Sequence, residues 1–201
     1  ELGGDVLYAP EPENMYAPDH ATWVEVPALA NTLCGLSRPI HFRGVCTVVL
    51  KLFMLAQPSL AVFGEKDWQQ LAIIKKMVSD LNVPVEVVGR PIVREADGLA
   101  LSSRNVYLTP EERAQAPQIR KSLEMAAGLA AGGERDAARI IEAVRGYLAE
   151  HLPTGEEDYI SIVDPAVLTK VDRIEDMALC ALAIRLGKAR LIDNILLKVG
   201  E

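Results

Sequence analysis

Residues 60–78 constrain the fold most. Leu60-Ala61-Val62-Phe63 is an apolar run that reads as the end of a buried strand. Gly64-Glu65-Lys66-Asp67 then makes a short glycine turn, and Leu71–Val78 carries apolar residues at helical spacing. A strand, a turn and a helix start in that order gather unpaired backbone N–H groups around one point, where the helix dipole favours an anion. Lys66 adds a mobile positive charge, and Asp67 and Gln70 add polar groups on the first helical turn. That is the chemistry of a nucleotide phosphate site, and it is also how many α/β loops look. Asp67 and Gln70 have the spacing of a capping box, with Asp67 as N-cap and Gln70 reaching back. A carboxylate has about four acceptor sites, so capping and ribose binding are compatible in part.

The flanking segments predict alternating elements. Asp5–Ala9 and Thr22–Val26 read as strands, with a Pro-, Asn- and Asp-rich loop between them. Pro27 opens a short helix that ends near Gly35, Arg38–Gly44 reads as a loop, and Val45–Ala56 is apolar nearly all round, as in a buried helix. Val83–Val88 and Ile92–Arg94 follow the central helix as β-branched runs, so the first part is expected to be built from βαβ units with a parallel sheet. Thr109-Pro110-Glu111-Glu112 is a helix start with a capping box. That helix is expected to run to about Ala131, and a second to cover Arg135–His151. Tyr159–Val163, Ala178–Leu186 and Ala189–Ile192 read as strands, the last two joined as a hairpin through Gly187-Lys188. The expected fold is α/β: a partial Rossmann-like parallel sheet over residues 1–91, then a smaller α+β domain over residues 92–201.

Charge and cysteine usage exclude several classes. The net charge of −7 argues against a general nucleic-acid or membrane-surface binder. Phosphate binding would have to come from local cations. Cys34, Cys46 and Cys180 are widely spaced and odd in number, which suggests buried free thiols in a reducing compartment and a cytoplasmic protein. Ser102-Ser103-Arg104 puts two hydroxyls and a guanidinium in one loop, a set that suits a triphosphate but is equally a surface turn. His41 could be a base; near Arg38 and Arg43 it reads more simply as structural, with its proton affinity lowered by those charges. Asp193-Asn194 and Asp97-Gly98 read as turns. The chain opens at Glu1 in mid-pattern, and a missing N-terminal portion is expected.

Four runs carry a resemblance. Arg38–Val45, Phe63–Leu71, Asp97–Asn105 and Arg190–Asn194 closely resemble the pantothenate synthetase (pantoate–β-alanine ligase) family, in motif and in order. Ile40 and Trp68 depart slightly from the family pattern. The resemblance implies a Rossmann-like nucleotide-binding domain with a smaller C-terminal domain, in a homodimer. It implies ATP-dependent condensation of pantoate with β-alanine through pantoyl adenylate, releasing pyrophosphate and then AMP, with Mg2+ accompanying ATP. Gly64, Glu65, Lys66 and Asp67 match an ATP segment, with Lys66 toward phosphate and Asp67 toward ribose. Val93 matches a residue whose backbone meets adenine, and Gln70 a glutamine that binds pantoate. Leu101, Ser102, Ser103 and Arg104 match the phosphate loop. Lys66, Ser102, Ser103 and Arg104 are the expected catalytic set, since fixed cations and donors stabilise charge gathering on the phosphoryl oxygens.

The family's paired-histidine signature and a second pantoate glutamine are absent; His20, His41 and His151 form no such pattern. The chain is therefore expected to hold half a site and to be inactive alone. The alternatives are another adenylyl-transferring enzyme of the same superfamily and a non-catalytic dimerisation or folding module.

Overall fold

A computed structural model describes residues 3–200. Before the central strand lie three one-turn helices, α1 (Pro12–Met15), α2 (Pro27–Ala30) and α3 (Cys34–Ser37), and one long helix, α4 (His41–Ala56). Strand β1 (Leu60–Gly64), a 3-10 turn at Glu65–Asp67, helix α5 (Trp68–Asp80) and strand β2 (Glu86–Arg90) form a parallel βαβ unit in which Leu60 pairs with Glu86 and Gly64 with Arg90. Next come α6 (Pro110–Gln115), α7 (Gln118–Ala131) and α8 (Ala137–His151). The chain closes with β3 (Gly155–Val163), β4 (Met177–Leu186) and β5 (Ala189–Lys198), an antiparallel sheet in sequential order. The α/β class is as expected, with the parallel and antiparallel strands in separate sheets.

Alternation along the strands divides the apolar residues between two cores. Cys180, Leu182, Ile184, Leu191 and Leu197 face one side of the three-stranded sheet, where Ile119, Leu123, Ile140 and Val144 of α7 and α8 complete a core. Leu179 and Ala181 face the other side and join Phe42, Cys46, Phe53, Ile73, Ile74 and Met77 of α4 and α5 in the second. The sheet is thus covered on both faces. Thr109 and Glu112 form the expected capping box at α6, with Glu112 accepting from the Thr109 N–H at 2.8 Å and Thr109 accepting from the Glu112 N–H at 3.3 Å. The Gly187-Lys188 hairpin also forms, Gly187 supplying the left-handed backbone at φ +55°.

Several expected elements differ. Asp5–Ala9 forms no strand: no described neighbour pairs with it, and Val6 and Leu7 stand in solvent. Thr22–Val26 forms none either, and the Val24 N–H goes instead to the Thr47 hydroxyl of α4 at 3.1 Å. The loop over Arg38–Gly44 ends early. A turn bonded from the His41 N–H to the Arg38 carbonyl feeds straight into α4, so His41, Phe42, Arg43 and Gly44 are helical. Nor is α4 buried all round, since Met54 and Leu55 are exposed near its end. Strand β1 is only half-buried, on the face of Ala61 and Phe63, with Leu60 and Val62 open to solvent. Ile92–Arg94 makes a single bridge, from Arg94 to Ala100, rather than a strand. The helix expected to reach Ala131 from Thr109 is divided at Ala116-Pro117, because Pro117 has no N–H to continue the ladder and starts α7 instead.

Candidate functional site

The Gly64–Asp67 turn is held by the residues after it and by the opposite sheet. Gly64 ends β1 in extended backbone, φ −77° and ψ 136°, so its glycine is not required by the turn. A Cβ there would meet no protein atom, and Gly64 lines an open cavity. Asp67 occupies the N-cap position of α5 without accepting a side-chain capping bond, so the capping box read from Asp67 and Gln70 does not form. Trp68 donates its indole N–H to the Pro165 carbonyl at 2.8 Å.

The two glutamines that follow have different tasks. Gln69 is buried. Its amide donates to the Leu29 and Thr32 carbonyls at 2.9 and 2.7 Å and accepts from the Cys34 N–H at 3.0 Å, clipping the α2–α3 segment to α5. Gly35 is required beside this clip, because any side chain there would run into the Ala30 carbonyl. Gln70 makes no side-chain hydrogen bond among the described residues and lines a cavity of about 370 Å³.

Lys66, Asp67, Arg38, His41, Arg104 and Arg190 share that cavity wall with Gln70. His41 opens α4, and its proton affinity is lowered first by burial and then by Arg38, with Arg104 and Arg190 adding to the effect and Asp67 opposing it. Arg190, on β5, is placed by an irregularity in β3. The register shifts between Glu157 and Tyr159, so Asp158 and Tyr159 both reach Arg190. Asp158 accepts from Arg190 Nε and Nη2 at 2.9 and 2.6 Å, and the Arg190 guanidinium lies 5.8 Å from the Tyr159 ring centroid. Burial works to raise the Asp158 pKa, but the Arg190 hydrogen bond and charge, with those of Arg185, hold it below the ordinary value. Cys34 lies between the same partners, its sulfur 3.3 Å from the Tyr159 hydroxyl and 3.5 Å from Arg190 Nη1. Burial pushes the thiols of Cys46 and Cys180 up to about 11 and about 12. All three cysteines are free, but only Cys46 and Cys180 are buried as expected; Cys34 is half-buried at the cavity wall.

A second cavity, about 470 Å³, adjoins the first. It is lined by Gly64, Lys66, Asp67, Arg90, Val93, Leu101, Ser102, Ser103 and Arg104, among others. Every candidate named from the sequence except Glu65 therefore lies on one of the two cavities, and Lys66, Asp67 and Arg104 line both. Glu65 turns its side chain toward Gly89 and lines neither. Ser102 caps its own loop, accepting from the Arg104 N–H at 3.2 Å, while Asn105 donates to Glu95 at 2.6 Å and to the Ala100 carbonyl at 3.2 Å. Asp97 and Gly98 do form a turn: Gly98 has φ +90° and Asp97 accepts from the Leu99 N–H at 3.1 Å.

Asp193 and Asn194 do not. They lie inside β5, paired with Leu182 and Ala181, and both are buried. A short polar pair between Ile192 and Ile195 has the composition of a turn, and the long-range partners that hold it in a strand are not visible locally. Sequence reasoning likewise misses Arg190, Asp158, Tyr159 and Cys34 as site residues; only Arg190 and the Asp-Asn pair carry a signal, as part of the Arg190–Asn194 motif. Lysine, arginine and serine donors suit a polyanion such as a phosphate chain. Among the described residues no three His, Cys, Asp or Glu side chains group as ligands for a metal ion, and no helix is long and apolar enough to cross a membrane.

Comparisons with known proteins point to one family. The family described as pantoate-beta-alanine ligase matches residues 1–196. A pantothenate synthetase of Nitratidesulfovibrio vulgaris (strain DSM 19637 / Miyazaki F) is 66% identical over 199 residues, covering 99% of this chain and 70% of that protein. The crystal structure of pantothenate synthetase from Thermus thermophilus superposes with a TM-score of 0.91 at 46% identity, over 96% of this chain and 70% of that one. Pantoate-beta-alanine ligase from Francisella tularensis, crystallised with beta-gamma ATP and beta-alanine, superposes with a TM-score of 0.67 at 30% identity, over 92% of this chain and 61% of that one.

Proposed function

The chain belongs to the pantoate–β-alanine ligase family, and from that premise we propose that its two adjoining cavities hold ATP and pantoate for an adenylate-forming condensation with β-alanine. The observation that carries the reading is the shared wall: Lys66, Asp67 and Arg104 line both cavities. The cavity of Gly64, Val93 and Leu101–Arg104 receives the nucleotide, its adenine against the Val93 backbone and its ribose against Asp67. The cavity of Gln70 receives pantoate. The wall between them is where the α-phosphorus and the pantoate carboxylate meet.

A pantoate carboxylate oxygen bonds to the α-phosphorus as the bond to the β-phosphate oxygen breaks, giving pantoyl adenylate and pyrophosphate. The β-alanine nitrogen then bonds to the acyl carbon, the bond from that carbon to the AMP oxygen breaks, and the nitrogen loses a proton. Lys66, Ser102, Ser103 and Arg104 counter the charge on the phosphoryl oxygens in the first step. Mg2+ would accompany ATP and offset phosphate charge there; among the described residues no three His, Cys, Asp or Glu side chains group to hold it on the protein side. Lys66–Gln70 come from the nucleotide-binding part, residues 1–91, and the Ser102–Arg104 loop from the smaller domain, residues 92–201. The proposed assembly is a homodimer, which sedimentation would check. The sequence lacks the paired-histidine signature, so turnover by these residues alone is not expected. AMP released by this chain from ATP, pantoate and β-alanine would overturn that part.

Calorimetry on this chain tests the binding roles. Replacing Lys66 by Ala should weaken ATP binding about tenfold or more, the worth of one charge-assisted contact. Gln70→Ala should weaken pantoate binding and leave ATP binding nearly unchanged. Equal effects on both would favour another adenylyl-transferring enzyme of the superfamily, and no ATP binding at all would favour a non-catalytic module.

A further inference from the structure

The Asp193-Asn194 pair sits where the two walls of the phosphate site meet. It is buried, yet it belongs to neither core by chemistry. Because successive strand residues point to opposite faces, the two side chains leave β5 in opposite directions. Asn194 donates its amide to the carbonyls of Glu65 and Lys66, at 3.0 Å each. Asp193 accepts both arms of the Arg94 fork, at 2.7 and 2.9 Å, and also the Asn194 backbone N–H at 2.8 Å. Arg94 in turn donates to the Gly98 carbonyl at 3.0 Å and is bridged to Ala100, the residue just before Leu101–Arg104. One dipeptide therefore holds the Glu65-Lys66 turn on one side and the root of the Ser102–Arg104 loop on the other.

We propose that Asp193 and Asn194 are positioning residues that fix the separation of the two phosphate-binding walls. Asn194 takes up the carbonyls of the Glu65-Lys66 turn, and Lys66 lines both cavities. Asp193 acts through Arg94, whose bidentate geometry fixes orientation as well as distance. The role in nucleotide binding rests on the reading given under Proposed function; the mechanical role does not.

Hydrogen exchange and ATP titration on the folded chain separate the two. In Asn194→Ala, amides of Glu65, Lys66 and Asp67 should exchange at least tenfold faster while those of 99–105 keep their rates. In Asp193→Asn the pattern should reverse. The Arg94→Leu/Asp193→Leu double variant, which leaves no unpaired buried charge, should reproduce the reversed pattern if Asp193→Asn does not fold. Each variant should weaken ATP binding about tenfold. Unchanged exchange at both segments, or exchange raised uniformly over the whole chain, would overturn the proposal. Exchange patterns as described, with no ATP binding by the unsubstituted chain, would uphold the positioning role and remove the nucleotide reading instead.

Discussion

Strands β1 and β4 both carry apolar runs, Leu60–Phe63 and Leu179–Ile184, and the fold treats them differently. In β4, Leu182 is 0% exposed, because the strand is paired on both sides and covered by α7 and α8 on one face and by the α4–α5 layer on the other. In β1, Val62 is 56% exposed; the strand pairs only with β2 among the described residues, and only Ala61 and Phe63 face a core. Apolar composition thus says that a strand forms, while burial depends on what is layered against it. The site lies where the open sheet ends against the closed one, and β5 lends its rigidity to a turn that β1 and β2 alone would leave poorly braced.

Three measurements break or sharpen this comparison. The largest effect is expected in the closed sheet. Leu182→Ala should cost about 2–5 kcal/mol in chemical denaturation, as a cavity in a covered core, whereas Val62→Ala should stay within about 0.5 kcal/mol, as at an exposed position. Equal losses would mean that β1 is as enclosed as β4.

A smaller effect is expected at the helix start between the sheets. Gln69→Ala leaves the Leu29 and Thr32 carbonyls and the Cys34 N–H without their partner, and should cost about 1–3 kcal/mol. Gln70→Ala should leave stability nearly unchanged, so the neighbours divide structure from binding.

The smallest effect concerns pH. The folded His41 has its pKa below the ordinary 6.5, so as pH falls through that value the unfolded chain takes up a proton first and the folded state loses stability. Above it the penalty is absent. His41→Asn should flatten the slope of stability between about pH 7 and 5, and a slope of opposite sign in the parent chain would contradict the lowered affinity.

Legibility in the sequence follows the range of the interactions. The Thr109 capping box, the Gly187-Lys188 hairpin and the β1–α5–β2 unit are each specified within a few residues or by a repeating pattern, and all form. The candidate residues other than Glu65 lie on two cavities, and each of their motifs is a local run. What escapes is set by distant partners. Asp193 and Asn194 look like a turn until Arg94 and Glu65 are brought beside them, 99 and 129 positions away. Thr22–Val26 alternates like a strand, yet Thr47 takes one of its N–H groups. Pro117 is locally readable as a break, but the apolar spacing continues across it and masks the division.

The common wall of the two cavities has a thermodynamic consequence. A side chain that faces two compartments cannot change its position or charge environment for one occupant without altering what the other meets. On the reading proposed above, Lys66, Asp67 and Arg104 would therefore couple the occupancy of the two cavities. By linkage that coupling is reciprocal: the factor by which the first occupant changes the affinity of the second equals the factor by which the second changes that of the first. Order of addition would then alter the path to the filled site and leave its free energy the same.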